Sequence, residues 1–168
     1  ITAVKNNAAI SIIASKLGKT IYLQIILIGT AEYDLVLNQK KPSKDNYGAK
    51  LAEDGIIVLD DLVYRSGSSD LGEGPFDSLS ALAKFLNSRP ESSIVLVGHS
   101  DTVGELNKNI QLSKNRAEAV LDRLIKRYDI DPSRISAQGI GFLSPRTNNS
   151  TEEARKKNRR VEAILIMP

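Results

Sequence analysis

The stretch IVLVGHSDTVGELNKNIQLSKNR, residues 94–116, decides how the chain folds. Ile94 to Val97 is an apolar, β-branched run of the kind that forms a strand buried on both faces. At Gly98 the pattern breaks into His99-Ser100-Asp101-Thr102, closed by Gly104, and then resumes at helical spacing. On a helix of roughly Asn109–Tyr128, the residues Asn109, Leu112, Arg116, Val120 and Leu124 share one face, flanked by Ala117, Leu121 and Ile125. Arg116 therefore projects from the side that faces the core, two turns after Asn109. Burying a guanidinium without a partner costs several kcal/mol, so it needs an acid, and Asp101 at the strand end is the nearest candidate in sequence. Two readings stay open. The pair is either a structural ion pair tying helix to strand, or a grip for a ligand that carries both charges.

Working outward, a chain of 168 residues with 41% hydrophobic and 26% charged content implies one domain, or one with a sizeable extension, and a real core. The absence of cysteine excludes disulfides and thiol chemistry, and a single histidine excludes a multi-histidine metal site, so nothing calls for a cofactor or metal. The net charge of +3 is unevenly spread: residues 1–50 carry 7 basic and 3 acidic groups, 51–105 carry 3 and 10, and 106–168 carry 13 and 7. That acidic middle argues against a uniform nucleic-acid-binding face. Arg155-Lys156-Lys157 with Arg159-Arg160 reads as a solvated helix end. No run approaches the roughly 20 apolar residues that span a bilayer. The longest, Ile21 to Gly29, is of strand length and contains Gln24. Membrane association is therefore expected only through segments outside this chain. The sequence opens at Ile1 without a basic-then-apolar leader, which is compatible with an excised fragment and is no argument for the cytoplasm.

In chain order, Ile1 to Val4 reads as a short strand. Asn7 to Leu17 reads as a helix, with Ala8, Ile12, Ile13 and Leu17 on one side and Gly18 as its stop. Thr20–Ile28 and Tyr33–Asn38 read as a hairpin. The polar, proline-broken Lys40–Asn46 divides an N-terminal α+β extension, residues 1–46, from a main domain, residues 47–168. Residues 1–46 carry no chemical constellation. Ile56 to Tyr64 is expected as a strand turning near Asp60-Asp61, followed by a glycine- and serine-rich loop, Arg65 to Gly74. Pro75 then opens a helix burying Phe76, Leu79, Leu82, Ala83 and Leu86. After the strand Ile94–His99 and the long helix come a stop at Asp129–Pro132 and a strand, Arg134–Gln138. Ser150-Thr151-Glu152-Glu153 has capping-box spacing, and Val161–Ile166 is the last strand. The order β-α-β-α-β-(α)-β predicts an α/β (α+β) sandwich, helices against a mixed sheet.

GHSDTVGELNKNIQLSKNRAEAV resembles the signature of the OmpA-like peptidoglycan-binding domains, G-H-T-D-x-x-G followed by N-x-x-L-S-x-x-R-A-x-x-V. Three further blocks match in order and spacing: SGSSDL after the first strand of the main domain, RISAQGIGFLSP after the long helix, and NRRVEAIL at the end. Together they cover about residues 55–168. The resemblance implies a module that holds the peptide stem of the cell wall at meso-diaminopimelate. It implies that Asp101 and Arg116 grip the free ammonium and carboxylate of that residue, with Asn109 and Arg159 lining the pocket. Ser100 stands where the family more often has threonine, and Ser66 and Gly67 occupy its first-loop position. A zwitterionic end needs one anion and one fork-shaped cation, so the bottom-up reading agrees. Backbone N–H groups at the start of the Asn109 helix would add anion affinity. Tyr64-Arg65 departs from the family, which more often has phenylalanine and a small or acidic residue there, and Arg65 either crowds the pocket or points to solvent.

The implied setting is a Gram-negative-type periplasm, with the domain tethering an outer-membrane or envelope protein to peptidoglycan. A flagellar-stator-type anchor, for which a homodimer is expected, and a protein–protein module of the same fold are the alternatives. An enzyme is not expected. His99, Ser100 and Asp101 are consecutive and cannot converge as nucleophile, base and orienter, no G-x-S-x-G turn exists, and no carboxylate pair has a defined geometry. His99 reads instead as a hydrogen-bonded residue of the strand end, and Arg159 and Arg160 as neighbours with separate duties.

Overall fold

In a computed structural model, which describes residues 2–5, 8–17, 20–28 and 46–166, the chain divides into two compact units, Ile1–Gln39 and Lys40–Pro168. The first unit contains β1 (Thr2–Lys5), β2 (Ala8–Leu17) and β3 (Thr20–Ile28) in an antiparallel sheet of that order. Ile10 pairs with Leu27 and Leu17 with Thr20. The helix expected over Asn7–Leu17 is thus a strand. Ala8-Ala9-Ile10-Ser11-Ile12-Ile13 satisfies both periods, and the β-branched isoleucines, stiff at χ1, favour the extended one. The strand expected at Tyr33–Asn38 lies outside the described residues.

The second unit runs α1 (Asn46–Asp54), β4 (Ile56–Val58), α2 (Asp77–Asn87), β5 (Ser93–Gly98), α3 (Leu106–Tyr128), β6 (Ile135–Gly139), α4 (Glu152–Asn158) and β7 (Val161–Ile166). Its sheet has the order β4-β7-β5-β6, with β5 and β6 parallel and the other pairs antiparallel. This is the expected order with one helix added at the front. That helix, α1, has Tyr47 and Leu51 one turn apart in the core, a pair hidden by the polar residues around it. The first strand of this sheet is shorter than expected, because the chain turns at Asp60-Asp61 soon after Val58.

β5 is buried on one face rather than two. Ile94 and Leu96 lie in the core, whereas Val95 and Val97 point to the half-covered side. The helices therefore form a single layer against the sheet. α1 packs on β4 and β7, α3 on β5, β6 and β7, and α2 bridges α1 and α3. Leu79, Leu82 and Leu86 of α2 and Val120 and Leu124 of α3 fill the space between, each at 2% exposure or less. Full burial of such a leucine contributes roughly 2 kcal/mol. Asp129, in the left-handed region at φ 54°, stops α3 where a stop was expected. At α4 the cap is Thr151, whose Oγ1 accepts from the Ala154 N–H at 3.2 Å, so the capping box placed on Ser150 does not form.

Candidate strand-end site

β5 and β6 end side by side, Gly98 paired with Gly139, and α3 crosses directly over both ends. A Cβ on Gly98 would lie 1.8 Å from the Ser113 carbonyl oxygen, and one on Gly139 2.2 Å from the Lys114 nitrogen. Only glycine lets the helix backbone come this close. The loops leaving the two strands are then laced together. The Ser100 N–H donates to the Gly141 carbonyl at 2.9 Å, the Gly141 N–H to Ser113 Oγ at 2.9 Å, and the His99 N–H to the Arg160 carbonyl at 2.9 Å. This fixes His99, Ser100 and Asp101 at the mouth of the sheet.

Arg116 projects from α3 into this region and is fully buried, as its helical spacing required. Its partner is not the expected carboxylate. Nε donates to the Ser68 carbonyl at 2.8 Å, Nη1 to the His99 carbonyl at 3.1 Å and Nη2 to the Arg65 carbonyl at 3.2 Å. The guanidinium carbon lies 5.0 Å from the centre of the Tyr64 ring. Among the described residues Arg116 makes no ion pair. Burial, reinforced by Arg159 and partly offset by Tyr64 and Asp101, brings its pKa down to about 10. Burial likewise pushes the Tyr64 hydroxyl far above its ordinary range, against the pull of Arg116. That hydroxyl has no hydrogen-bond partner among the described residues.

Asp101 is 4% exposed and pairs with Arg159, Oδ2 accepting from Nη1 at 2.7 Å. Its Oδ1 accepts from the Val103 N–H at 3.1 Å. Arg159 also donates from Nε to the Tyr64 carbonyl at 3.2 Å and from Nη2 to Glu152. Two carboxylates thus share one guanidinium. Burial would lower the pKa of Arg159, but the hydrogen bonds to Asp101 and Glu152 outweigh it and raise it. Hydrogen bonds from Arg159 first, and from Arg155 Nε at 3.1 Å second, hold the Glu152 carboxyl below its usual range.

The other expected residues sit as follows. Asn109 is buried, but α3 begins three residues earlier, at Leu106, so Asn109 is one turn inside the helix rather than at its start. Its amide donates to the Val103 and Glu105 carbonyls at 2.9 and 3.1 Å, tying down the loop before the helix. The anion-binding helix start expected at Asn109 is therefore displaced. Ser100 is buried, with its hydroxyl donating to the Asp101 carbonyl at 2.9 Å. Ser66 and Gly67 are the exposed middle of a turn closed by the Ser68 N–H on the Arg65 carbonyl at 3.1 Å. Gly67 has φ +72°, as the third residue of a type II turn requires. The carbonyls at both ends of that turn are the ones that hold Arg116. Arg65 is itself exposed.

Several groups escaped the sequence reading. Glu152 was seen only as a capping residue, although it stands two helical turns before Arg159. Ser113, not Leu112, is the buried neighbour on the α3 stripe. Asn158 is fully buried and fastens the loop after β6, its Oδ1 accepting from the N–H groups of Arg146 and Thr147 at 2.9 and 3.0 Å. Behind the site, His99 Nε2 lies 3.3 Å from Glu162 Oε2, and Arg160 Nε donates to Glu162 Oε1 at 2.7 Å. Burial alone would raise the Glu162 carboxyl; contacts from His99 and Arg160 bring it down to about 2. Arg159 and Arg160 do go to separate partners.

The site therefore holds a buried carboxylate already paired, beside a buried guanidinium bonded only to neutral carbonyls. A guanidinium has five N–H donors, and three bonds leave one N–H on each terminal nitrogen of Arg116 uncommitted among the described residues. A guanidinium is able to hold a carboxylate through two N–H groups at once.

The profile of the OmpA family matches residues 63–159. Outer membrane porin F of Pseudomonas aeruginosa is 34% identical over 119 residues, covering 71% of this chain and 34% of that protein. Peptidoglycan-binding protein ArfA of Mycobacterium bovis is 31% identical over 104 residues, covering 62% and 32%. The chain thus spans about a third of the length of these relatives. The crystal structure of a putative MotB-like protein from Desulfovibrio vulgaris superposes with a TM-score of 0.55 at 30% identity, covering 68% of this chain and 75% of that one.

Proposed function

The chain belongs to the OmpA family, and from that premise we propose that its 47–168 region is a non-enzymatic module that binds peptidoglycan through the meso-diaminopimelate of the stem peptide. One observation carries the reading: Arg116 is a buried cation whose hydrogen bonds all go to neutral carbonyls, within the electrostatic reach of Asp101. The free end of diaminopimelate carries one ammonium and one carboxylate. Asp101 takes the ammonium on Oδ1, which otherwise holds only the Val103 N–H. The carboxylate goes to the uncommitted N–H groups of Arg116 and to the turn above it, where the backbone N–H groups of Ser66 and Gly67 make no bond among the described residues. Ser100 adds a hydroxyl, Arg159 steadies Asp101, and Asn109 positions the adjoining loop. A zwitterion leaves the net charge of the site unchanged, whereas a simple anion or cation does not. The names of its relatives, an outer membrane porin and a peptidoglycan-binding protein, support a role in tethering an envelope protein to the wall from the periplasmic side.

Calorimetric titration of a meso-diaminopimelate muropeptide into wild type, Asp101→Ala and Arg116→Lys tests this, with circular dichroism confirming that each is folded. Saturable binding is expected in wild type, weakened at least about tenfold in both variants. The corresponding muropeptide with lysine in place of meso-diaminopimelate, whose side chain ends in an ammonium without a carboxylate, is expected to bind at least about tenfold more weakly. Folded wild type that binds neither the muropeptide nor purified sacculi refutes the reading.

A further inference from the structure

Beside the strand-end site lies a cleft of ≈ 210 Å³ lined by Arg146, Lys156, Lys157, Arg159, Arg160 and the 73% exposed Val63. Its charges can be accounted for one by one. Arg146 pairs with Asp60 at 3.2 Å, Arg160 with Glu162 at 2.7 Å, and Arg159 with Asp101 and Glu152. Lys156 and Lys157 have no ion-pair partner among the described residues, so these two cations are left uncompensated on the cleft wall. Basic residues in the last turn of α4 also suit the helix dipole. The dipole does not, however, account for a concave wall that joins them to Arg159 and an exposed apolar side chain. Arg159 is the common element, bonded to Asp101 and also lining the cleft. A ligand held at Asp101 therefore has this cleft as its neighbour.

We propose that the cleft is a second subsite, which receives a further carboxylate of the same stem peptide. The inference rests on the diaminopimelate reading and extends it along the ligand. The volume lies below the roughly 300 Å³ of ordinary small-molecule pockets, which suits one acidic residue rather than a disaccharide. The stem offers two carboxylates of the right chemistry, the α-carboxylate of its γ-linked glutamate and that of its terminal alanine. Long-range attraction from two solvated lysines, with Val63 packing against the ligand chain, gives a modest and salt-sensitive gain.

The test is calorimetry with four ligands: free meso-diaminopimelate, the stem tetrapeptide, the tetrapeptide amidated at glutamate, and the tetrapeptide amidated at its C-terminus. Each is titrated into wild type and into the double variant Lys156→Gln/Lys157→Gln. One amidation is expected to weaken wild-type binding about fivefold and so to identify the carboxylate. The double variant is expected to lose that discrimination while binding free meso-diaminopimelate as wild type does. Indifference of wild type to both amidations, or wild-type tetrapeptide affinity in the double variant, overturns the subsite while leaving the diaminopimelate reading intact. Failure of wild type to bind even free meso-diaminopimelate and sacculi removes both.

Discussion

Arg116 and Arg159 are both buried, at 0% and 4% exposure, and have opposite surroundings. The pocket where α3 crosses the strand ends holds Arg116 with three backbone carbonyls and a tyrosine ring, and among the described residues it contains no counter-ion. The junction of α4 and β7 holds Arg159 between two carboxylates. Desolvation acts on both. It lowers the pKa of Arg116 to about 10, whereas at Arg159 the acids more than reverse it. The difference teaches what each guanidinium is for. A cation neutralised by two acids is a structural brace, while one held by neutral dipoles keeps its field available to an incoming anion.

Removing either arginine breaks the comparison most severely. Arg116→Met leaves the carbonyls of Ser68 and His99 without the Arg116 donors and the Arg65 carbonyl with only the Ser68 N–H of its turn, at a cost on the order of 3 kcal/mol, and urea denaturation should show a matching loss. Arg159→Met strands the buried Asp101 carboxylate and should cost about 3 kcal/mol. Adding Asp101→Asn to that variant should restore roughly 1–2 kcal/mol, because the orphaned charge is gone. No such rescue is expected when Asp101→Asn is combined with Arg116→Met. Equal rescue in both backgrounds would erase the distinction.

Two smaller effects sharpen it. Glu162 lies 3.3 Å from the ring of His99, whose carbonyl is one wall of the Arg116 cage. Its carboxyl titrates at about 2 in the fold against an ordinary 4.5, so its contribution is complete above about pH 4.5 and is lost as the pH falls toward 2. That contribution is on the order of 2 kcal/mol, and Glu162→Gln should flatten the acid limb of the stability profile by this amount. Gly67→Ala forces a side chain into the left-handed region of the turn, at φ +72°, and should cost about 1 kcal/mol in thermal denaturation. Because both ends of that turn hold Arg116, ligand binding should weaken with it.

The contrast between the arginines was only half legible in the sequence. Helical spacing puts Arg116 on the core side of α3, and the breaks at Gly98 and Asp129 frame the helix. The acceptors of Arg116, however, are backbone carbonyls of Arg65, Ser68 and His99, 51, 48 and 17 residues away, and a carbonyl has no residue-type signature. The nearest acid in sequence therefore looked like its partner. In the fold Asp101 turns to Arg159, 58 residues later. The i, i+7 relation of Glu152 and Arg159 was readable, but the capping pattern at the start of the helix hid it. The start of α3 was misplaced because Leu106-Asn107-Lys108 has no apolar period and Glu105 offers no side-chain cap. In the N-terminal unit the difference is one of period, since the ten residues Ala8–Leu17, rich in alanine and isoleucine, fit strand and helix alike.

The most direct test of the central claim is to watch both guanidinium groups by ¹⁵N-resolved NMR as meso-diaminopimelate is added. The account predicts a saturable shift of the Arg116 Nε–H signal, much reduced when 1,5-diaminopentane, the same chain without its carboxylates, replaces the ligand, with a smaller change at Arg159. Saturable binding that moves Arg159 and leaves Arg116 unchanged would contradict it, making Arg116 a structural brace and placing the ligand carboxylate elsewhere.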